Sequence, residues 1–313
     1  MCDHRDPPPG PARRAARGAV RGALGTAALG AATLFYAGVI ERHAFAVRRA
    51  ALPVLDPGAP SIRVLHLSDL HLLPRQRRKI AFIRSLVDLE PDLVLNTGDT
   101  LSSPRAIPAL IDALGPLLAV PGGFVPGNND YYIPQFKTPL SYFLPRKPLP
   151  DNRPRMPWDQ LARAMASRGW VNLAHERVTL PVAGARVALA GVDDAHLGRD
   201  RYELIAGPAD ADADVRIGVT HTPDPGLLDR FAADGYDLTV AGHTHGGQVR
   251  IPFGSAITTN CGLDVWRARG LSDWQGMALN VSAGVGAGPY APIRFACRPE
   301  VSLLTLVPRD SAV

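Results

Sequence analysis

Five short polar clusters in the 313-residue chain combine the side chains that bind divalent cations: Asp69-Leu70-His71, Gly98-Asp99, Gly127-Asn128-Asn129-Asp130, Thr220-His221 and Gly242-His243-Thr244-His245. They offer carboxylate oxygens, an amide oxygen and imidazole nitrogens, and no thiolate. That donor set suits Mn, Fe or Zn in a reactive site better than a structural zinc held by sulfur. Asp69, His71, Asp99, Asn128, His221, His243 and His245 make seven ligands, which suits two divalent metal ions. Taken singly, Asp-x-His, Gly-Asp or a lone His221 is most often a surface turn or a satisfied histidine. Gly-His-Thr-His-Gly-Gly-Gln at 242–248 is more specific, because two histidines two apart between glycines at a strand exit have little structural use. Glycine before Asp99, Asn128 and His243 lets the chain bend sharply and aim the next side chain into a shared cavity.

These clusters need elements that end together. Ile62 to Ser68 reads as an apolar strand ending at Asp69, Gln76 to Glu90 as a helix, Leu93 to Thr97 as a strand, Ile107 to Leu118 as a helix and Gly123 to Pro126 as a short strand. This is a βαβαβ start, and open α/β sheets gather ligands at the carboxyl ends of their strands. Further strands are expected at Ala185–Val192, Val215–Thr220, Leu238–Ala241, Ala278–Ser282 and Val301–Leu306. The result is an α/β (α+β) domain with a mixed sheet or two stacked sheets. No internal repeat is evident. The chain divides into a basic tail (1–21), an apolar helix (22–40), a Pro-containing linker (41–60) and one catalytic domain (61–313). Within the last, 133–157 is too rich in proline for a helix or central strand and reads as a large loop.

With 46% hydrophobic and 20% charged residues, the composition is that of a packed globular protein. The sequence pI near 9.4 and net charge of +5 invite a nucleic-acid reading. Up to residue 50, however, Arg5, Arg13, Arg14, Arg17, Arg21, Arg42, Arg48 and Arg49 stand against Asp3, Asp6 and Glu41 alone, which accounts for the whole excess. A neutral body with a basic head argues against nucleic acid as partner. Gly22 to Ile40 is uncharged and close to the ~20 residues a helix needs to cross a bilayer. The arginine bias favours a cytoplasmic N-terminus with the domain outside a cell membrane. A cleaved signal with Ala44-Phe45-Ala46 as processing site, or a buried helix, remains an alternative for the same segment. Cys2, Cys261 and Cys297 are too few for a disulfide framework and lack zinc-site spacing. Cys261 and Cys297 read as buried or idle thiols, with pairing open only outside the cytoplasm.

The ordered set DLH, GD, GNN, TH and GHTHGG resembles the calcineurin-like metallophosphoesterases over about residues 62–306. The wording VLHLSDLH, GHTHGGQVRIP and APIRF followed by RPEVSLLTL is similar to their membrane-associated bacterial YkuE/YaeI-like subgroup. The resemblance implies an αββα sandwich of two stacked mixed sheets flanked by helices. It implies that Asp69, His71 and His245 hold one metal, that Asn128, His221 and His243 hold the other, and that Asp99 bridges both. It also implies hydrolysis of a phosphomonoester, phosphodiester or pyrophosphate by a metal-bridging hydroxide, with charge in the transition state stabilised chiefly by the metals.

One position departs from the family pattern, which has histidine where this chain has Asn129. An amide donates a hydrogen bond but cannot release a proton near neutral pH, so general-acid help worth ~10²–10⁴-fold is lost there. Asn129 then reads as a weaker transition-state donor with Asp130 orienting its amide, or as a residue that fits the turn. A catalytically weakened metal-binding or sensing protein is the competing function, and a nuclease is disfavoured by the neutral domain. Arg75, Arg77, Arg78 and Lys79 read either as a solvated helix face or as contacts to an anionic substrate. Tyr131 and Tyr132 read as pocket mouth or as packing. Asp193, Asp194 and His196 form a polar turn that matches no ligand position. The 133–157 loop mixes apolar and basic groups as a membrane-facing lid would. The expected substrate is a phosphorylated small molecule or a phospholipid-like one.

Overall fold

Short runs of valine, leucine and isoleucine, each closed by a polar turn, form the strands of a computed structural model that describes residues 11–136 and 152–311. The first sheet has the order β1-β12-β2-β3-β4-β5 and the second β10-β11-β9-β8-β7-β6. In chain order the strands are β1 (Ala46–Leu55), β2 (Ile62–Leu67), β3 (Leu93–Asn96), β4 (Gly122–Phe124), β5 (Trp170–Asn172), β6 (Glu176–Val182), β7 (Ala185–Gly191), β8 (Val215–Val219), β9 (Leu238–Ala241), β10 (Gly270–Trp274), β11 (Met277–Val281) and β12 (Glu300–Pro308). In the first sheet β2 to β5 run parallel and β12 lies antiparallel to β2.

The two sheets stack face to face. Val64, Leu95, Leu304 and Leu306 of the first meet Val187, Ile217, Leu238 and Val240 of the second in one buried cluster. Helices α2 (Arg77–Ser85), α3 (Ile107–Leu114) and α5 (Trp158–Ala166) cover the outer face of the first sheet through Ile83, Leu110, Leu114, Leu161 and Met165. Helix α6 (Pro225–Ala233) covers the second through Leu227, Leu228 and Phe231. The layering is therefore helix, sheet, sheet, helix, as expected. One polar bridge crosses the inter-sheet core. Asn280 Nδ2 donates to His66 Nδ1 at 2.8 Å, and His66 Nε2 lies 2.9 Å from Thr97 Oγ1.

Residues 41–60 are not a linker. β1 occupies Ala46–Leu55 and pairs parallel with β12 from Ala46 to Pro53, with a register shift before Leu55. Its arginines and Pro53 hide the strand in the sequence, but a sheet edge tolerates both, and Arg48 pairs with Glu300 at 3.2 Å. Edge strand β6, which contains Arg177 and Pro181, escapes the sequence reading for the same reason; β10 is an edge strand with Ser272 and Asp273 in it, and β5 is only three residues long.

At the N-terminus α1 (Pro11–Phe35) continues through a π turn (Tyr36–Ile40) and a 3₁₀ turn (Glu41–His43). Ala19–His43 is long and apolar enough to span a bilayer, with mean hydropathy 1.7, and only 6% of its apolar window is buried in the protein. A core helix would be covered, so that alternative is not met. Cys261 and Cys297 are buried thiols. Of the loop expected at 133–157, residues 137–151, with Lys137, Tyr142, Phe143, Arg146 and Lys147, lie outside the described residues.

Candidate metal centre

The ends of β2, β3 and β4 in the first sheet, and of β8 and β9 in the second, deliver the five clusters to one rim of the sandwich. Asp69, His71, Asp99, His243 and His245 all take left-handed backbone angles, with φ between 41° and 67°. L-residues avoid that region by roughly 1–2 kcal/mol each, so the turns are strained where they carry these side chains. Two glycines allow the loops to touch. A Cβ on Gly98 would fall on the backbone of Gly127, and one on Gly242 would fall against Ser68 Oγ and Asp69 Oδ2.

Asp69, His71, Asp99 and His245 each present a ligand atom within 4.8 Å of the others. His71 Nε2 lies 3.2 Å from His245 Nε2 and 3.5 Å from Asp99 Oδ2, and His245 Nε2 lies 3.4 Å from Asp69 Oδ1. His221 Nε2 is 3.6 Å from Asp99 Oδ1, and the rings of His221 and His243 are 5.2 Å apart. Six of the seven expected ligands thus adjoin one another. Asn128 opens the one-turn helix α4 (Asn128–Tyr131) beside them and is half-buried.

The donor set fits divalent cations on an observation independent of residue type. Asp69 Oδ1 and His221 Nε2 are buried without a hydrogen-bond partner, and orphaned polar atoms of that kind are costly. The His221 ring is fixed, because Nδ1 donates to the Thr97 carbonyl at 2.7 Å and Nε2 faces Asp99 Oδ1 at 3.6 Å. Such outer hydrogen bonds orient metal-binding imidazoles. His71 Nδ1 meets Ser102 Oγ at 3.3 Å, and His245 Nδ1 lies 3.5 Å from the Arg294 guanidinium.

The electrostatics draw positive charge inward. Burial opposes ionisation of Asp69, but His245, His221, His71 and the Ser68 hydroxyl together hold it well below the usual carboxylate range. Burial would lower His221, yet Asp99, Asp69 and Asp194 outweigh it and push the imidazole up to about 9, so without a cation this spot holds a proton. Burial brings His71 down to about 4 and also lowers His243 and His245, leaving three neutral imidazoles able to act as ligands.

Asp130 sits differently from its expected role, and Asn129 is engaged with Asp99. Asn129 donates from its backbone N–H to Asp99 Oδ1 at 2.8 Å and from its side-chain amide to Asp99 Oδ2 at 2.5 Å. Asp130 does not orient that amide; its oxygens accept from the backbone N–H groups of Thr100 and Gly127 at 2.9 and 3.0 Å. Burial and the nearby Asp99 charge push Asp130 up to about 7. It holds the β3 and β4 turns together, which explains an acidic residue at that place without a catalytic step.

Several contributors carry no sequence signal. Ser68 donates to Asp69 Oδ2 at 2.5 Å, Ser102 supports His71, and Arg294 lies behind His245. Asp194, set outside the ligand set, accepts from Thr222 Oγ1 at 2.8 Å next to His221, and the ring of His196 lies 4.7 Å from that of His243. Tyr131 packs on Trp158 and donates to Asp193 at 2.8 Å, and Arg153 covers Tyr132. Lys79 is buried rather than on a solvated helix face. Its Nζ donates to the Leu70 carbonyl at 2.6 Å, and burial with the Arg294 charge lowers it to about 7.

Residues 62–247 match the family pattern described as calcineurin-like phosphoesterase. The YkuE metallophosphoesterase of Bacillus subtilis is 26% identical over 92% of this chain and 96% of its own length. The YpbG protein of the same organism is 27% identical over 80% and 82%. The YaeI phosphodiesterase of Escherichia coli is 25% identical over 84% and 88%.

Proposed function

The chain belongs to the calcineurin-like phosphoesterases, hydrolases of phosphoric ester bonds, and from that premise we propose that it is a membrane-anchored, two-cation enzyme acting on a phosphorylated group near the bilayer. One observation carries the catalytic half of this reading: four ligand atoms from Asp69, His71, Asp99 and His245 lie within 4.8 Å, beside a buried His221 nitrogen with no partner. Asp69, His71 and His245 would hold one cation, Asn128, His221 and His243 the other, and Asp99 both. Two divalent cations in such a site supply Lewis-acid activation of a water and neutralise charge on the phosphoryl oxygens.

The chain's own groups do the rest. The Thr97 carbonyl and Ser102 hydroxyl hold His221 and His71 in the ligating orientation. Asn129 is a neutral donor that, once Asp99 is engaged by cations, can turn its amide toward a phosphoryl or leaving-group oxygen. It gives no proton, so leaving groups that depart unaided are favoured. That same residue favours a second reading, a slow metal-binding sensor.

The anchor reading rests on Ala19–His43, which the domain holds at its exit. Glu41 accepts from Ala296 and Cys297 backbone N–H groups at 3.0 and 2.5 Å, and Phe45 stacks on Phe82 at 4.8 Å. Cleavage after Ala46 would remove both contacts, which supports retention of the segment. The arginine bias favours a domain outside the cytoplasm. Among ester classes, the name of the E. coli relative favours a phosphodiester.

The test is to purify the full chain in detergent, measure bound Mn, Fe and Zn, and assay aryl phosphomonoesters and phosphodiesters. Turnover that tracks metal content is expected. Two bound metals without turnover of either class would sink the hydrolase reading and leave the sensor.

A further inference from the structure

We propose that a cavity between the end of the N-terminal helix and α2 binds a phosphate-bearing headgroup, supplied by an anionic phospholipid or by a soluble phosphate. The cavity has a volume of about 390 Å³, within the size range of small-ligand sites. Arg42, Arg75, Arg77, Arg78, Lys79 and Arg294 line it, and no aspartate or glutamate does. Among the described residues none of these six cations takes part in an ion pair. It contains none of the seven proposed metal ligands.

The two innermost basic groups are bound by backbone carbonyls and have no acidic partner among the described residues. Lys79 is 7% exposed and Arg294 1%. Lys79 donates to the carbonyls of Leu70 and His71, and Arg294 to those of Ala283 and Gly284 at 2.7 and 3.1 Å. Carbonyl dipoles make the buried Arg294 guanidinium bearable but leave its charge in place, and that charge calls for an anion. Arg42 adds an unfilled donor. Its Nη1 reaches the Pro292 carbonyl at 3.3 Å, while its Nε is buried without a partner. Guanidinium groups match phosphate oxygens in geometry as well as charge.

Position selects the lipid as the first source to test. Arg42 lies in the 3₁₀ turn that closes the apolar segment Ala19–His43. The domain fixes that end, since Arg294 N–H donates to the Ala37 carbonyl at 3.0 Å and Tyr36 meets Phe295 edge-on at 6.4 Å. A membrane-spanning Ala19–His43, which is part of the reading above, sets the cavity at headgroup depth, within reach of lipid phosphates. The cavity also shares a wall with the metal centre, because Arg294 donates to the His245 carbonyl at 3.3 Å and Lys79 to that of His71.

The experiment uses the full chain in bilayer nanodiscs of phosphatidylcholine, alone or mixed with phosphatidylglycerol, released into native mass spectrometry. Wild type should retain a phosphatidylglycerol, and the Arg75→Gln/Arg78→Gln variant, altered only at exposed positions, should retain it about tenfold less, the size of one lost charged hydrogen bond. In a second arm, inorganic phosphate should raise the melting temperature of wild type more than that of the variant. Loss in the lipid arm identifies a lipid source, and loss in the phosphate arm alone a soluble one. Equal behaviour of the two proteins in both arms overturns the proposal. Turnover of a soluble aryl phosphate, measured on the same preparations, reports separately on the hydrolase reading, since lipid retention does not depend on it.

Discussion

Replacing Asn129 by histidine perturbs one contact in a predictable way. The backbone N–H of residue 129 keeps its bond to Asp99 Oδ1 at 2.8 Å, and the side-chain bond to Oδ2 at 2.5 Å is removed. A hydrogen bond to a charged group contributes about 1.5–3 kcal/mol, so the metal-free protein should lose about that much. At the sensitivity of a domain this size, the loss corresponds to a melting temperature about 3–12 °C lower. With cations bound, Asp99 no longer depends on that amide and the deficit should shrink. Catalysis should move the other way. An imidazolium that protonates the leaving group is worth ~10²–10⁴-fold, or about 2.7–5.4 kcal/mol of barrier. The gain should appear with alkyl phosphates and be small with activated aryl phosphates, whose leaving groups need no proton. The assay is kcat for both substrate types across pH, with metal content measured on each sample. An equal change for both leaving groups, or no gain for alkyl esters in a fully metallated variant, would refute the argument that a missing acid limits the rate.

Asp99→Ala should cost more than about 100-fold in turnover, since loss of an outer hydrogen-bond partner alone costs 10–100-fold; metal analysis should show both cations affected, and retained activity would refute the shared role of Asp99. Gly242→Ala places a Cβ against Ser68 Oγ and Asp69 Oδ2. The overpacking should destabilise by about 1–3 kcal/mol and displace Asp69, so metal stoichiometry should fall, and an unchanged metal count would contradict the crowding. His66 predicts acid sensitivity. Burial lowers it to about 3 in the folded state, below the ordinary value near 6.5, so its contribution is complete above about pH 6.5 and is lost as pH falls from there toward 3. By pH 5 that is about 2 kcal/mol. Urea midpoints of metal-free protein at pH 7.5 and 5 measure it, and His66→Gln should flatten the dependence.

The convergence of the clusters was legible because each pairs a candidate ligand with the glycine or strand end that aims it, and because histidine next to glycine at a strand exit has few structural uses. The parallel strands β2, β3, β8 and β9 were legible as short runs dominated by valine, leucine and isoleucine, interrupted only singly by polar residues. β1 was not, since Arg48, Arg49 and Pro53 erase that pattern while an edge position permits them. His66, Ser102 and Arg294 were illegible for another reason. Their roles depend on partners far away in sequence, as with His66 and Asn280 across the two sheets, and no local spacing encodes such pairs. Lys79 read as solvated because helix periodicity places it among Arg77 and Arg78, but the carbonyls of Leu70 and His71 draw its ammonium inside.

The strain at the rim explains why these turns need such dense hydrogen bonding. Five non-glycine residues in left-handed conformation cost about 5–10 kcal/mol together, a sum comparable to the whole stability of an ordinary domain. The same turns supply part of the offset. Asp69 N–H donates to the Gly98 carbonyl and His71 N–H to that of Asp99, both at 2.9 Å. Asp69 Oδ2 accepts from His243 N–H at 3.0 Å, and Asp99 Oδ1 from Asn129 N–H. Asp69 and Asp99, both proposed ligands, therefore each stabilise a turn that carries a different proposed ligand. Neutralising either one should loosen a strained loop across the site as well as remove a metal contact. For that reason metal affinity here should respond to Asp69 and Asp99 cooperatively, with a double substitution costing less than the sum of its parts.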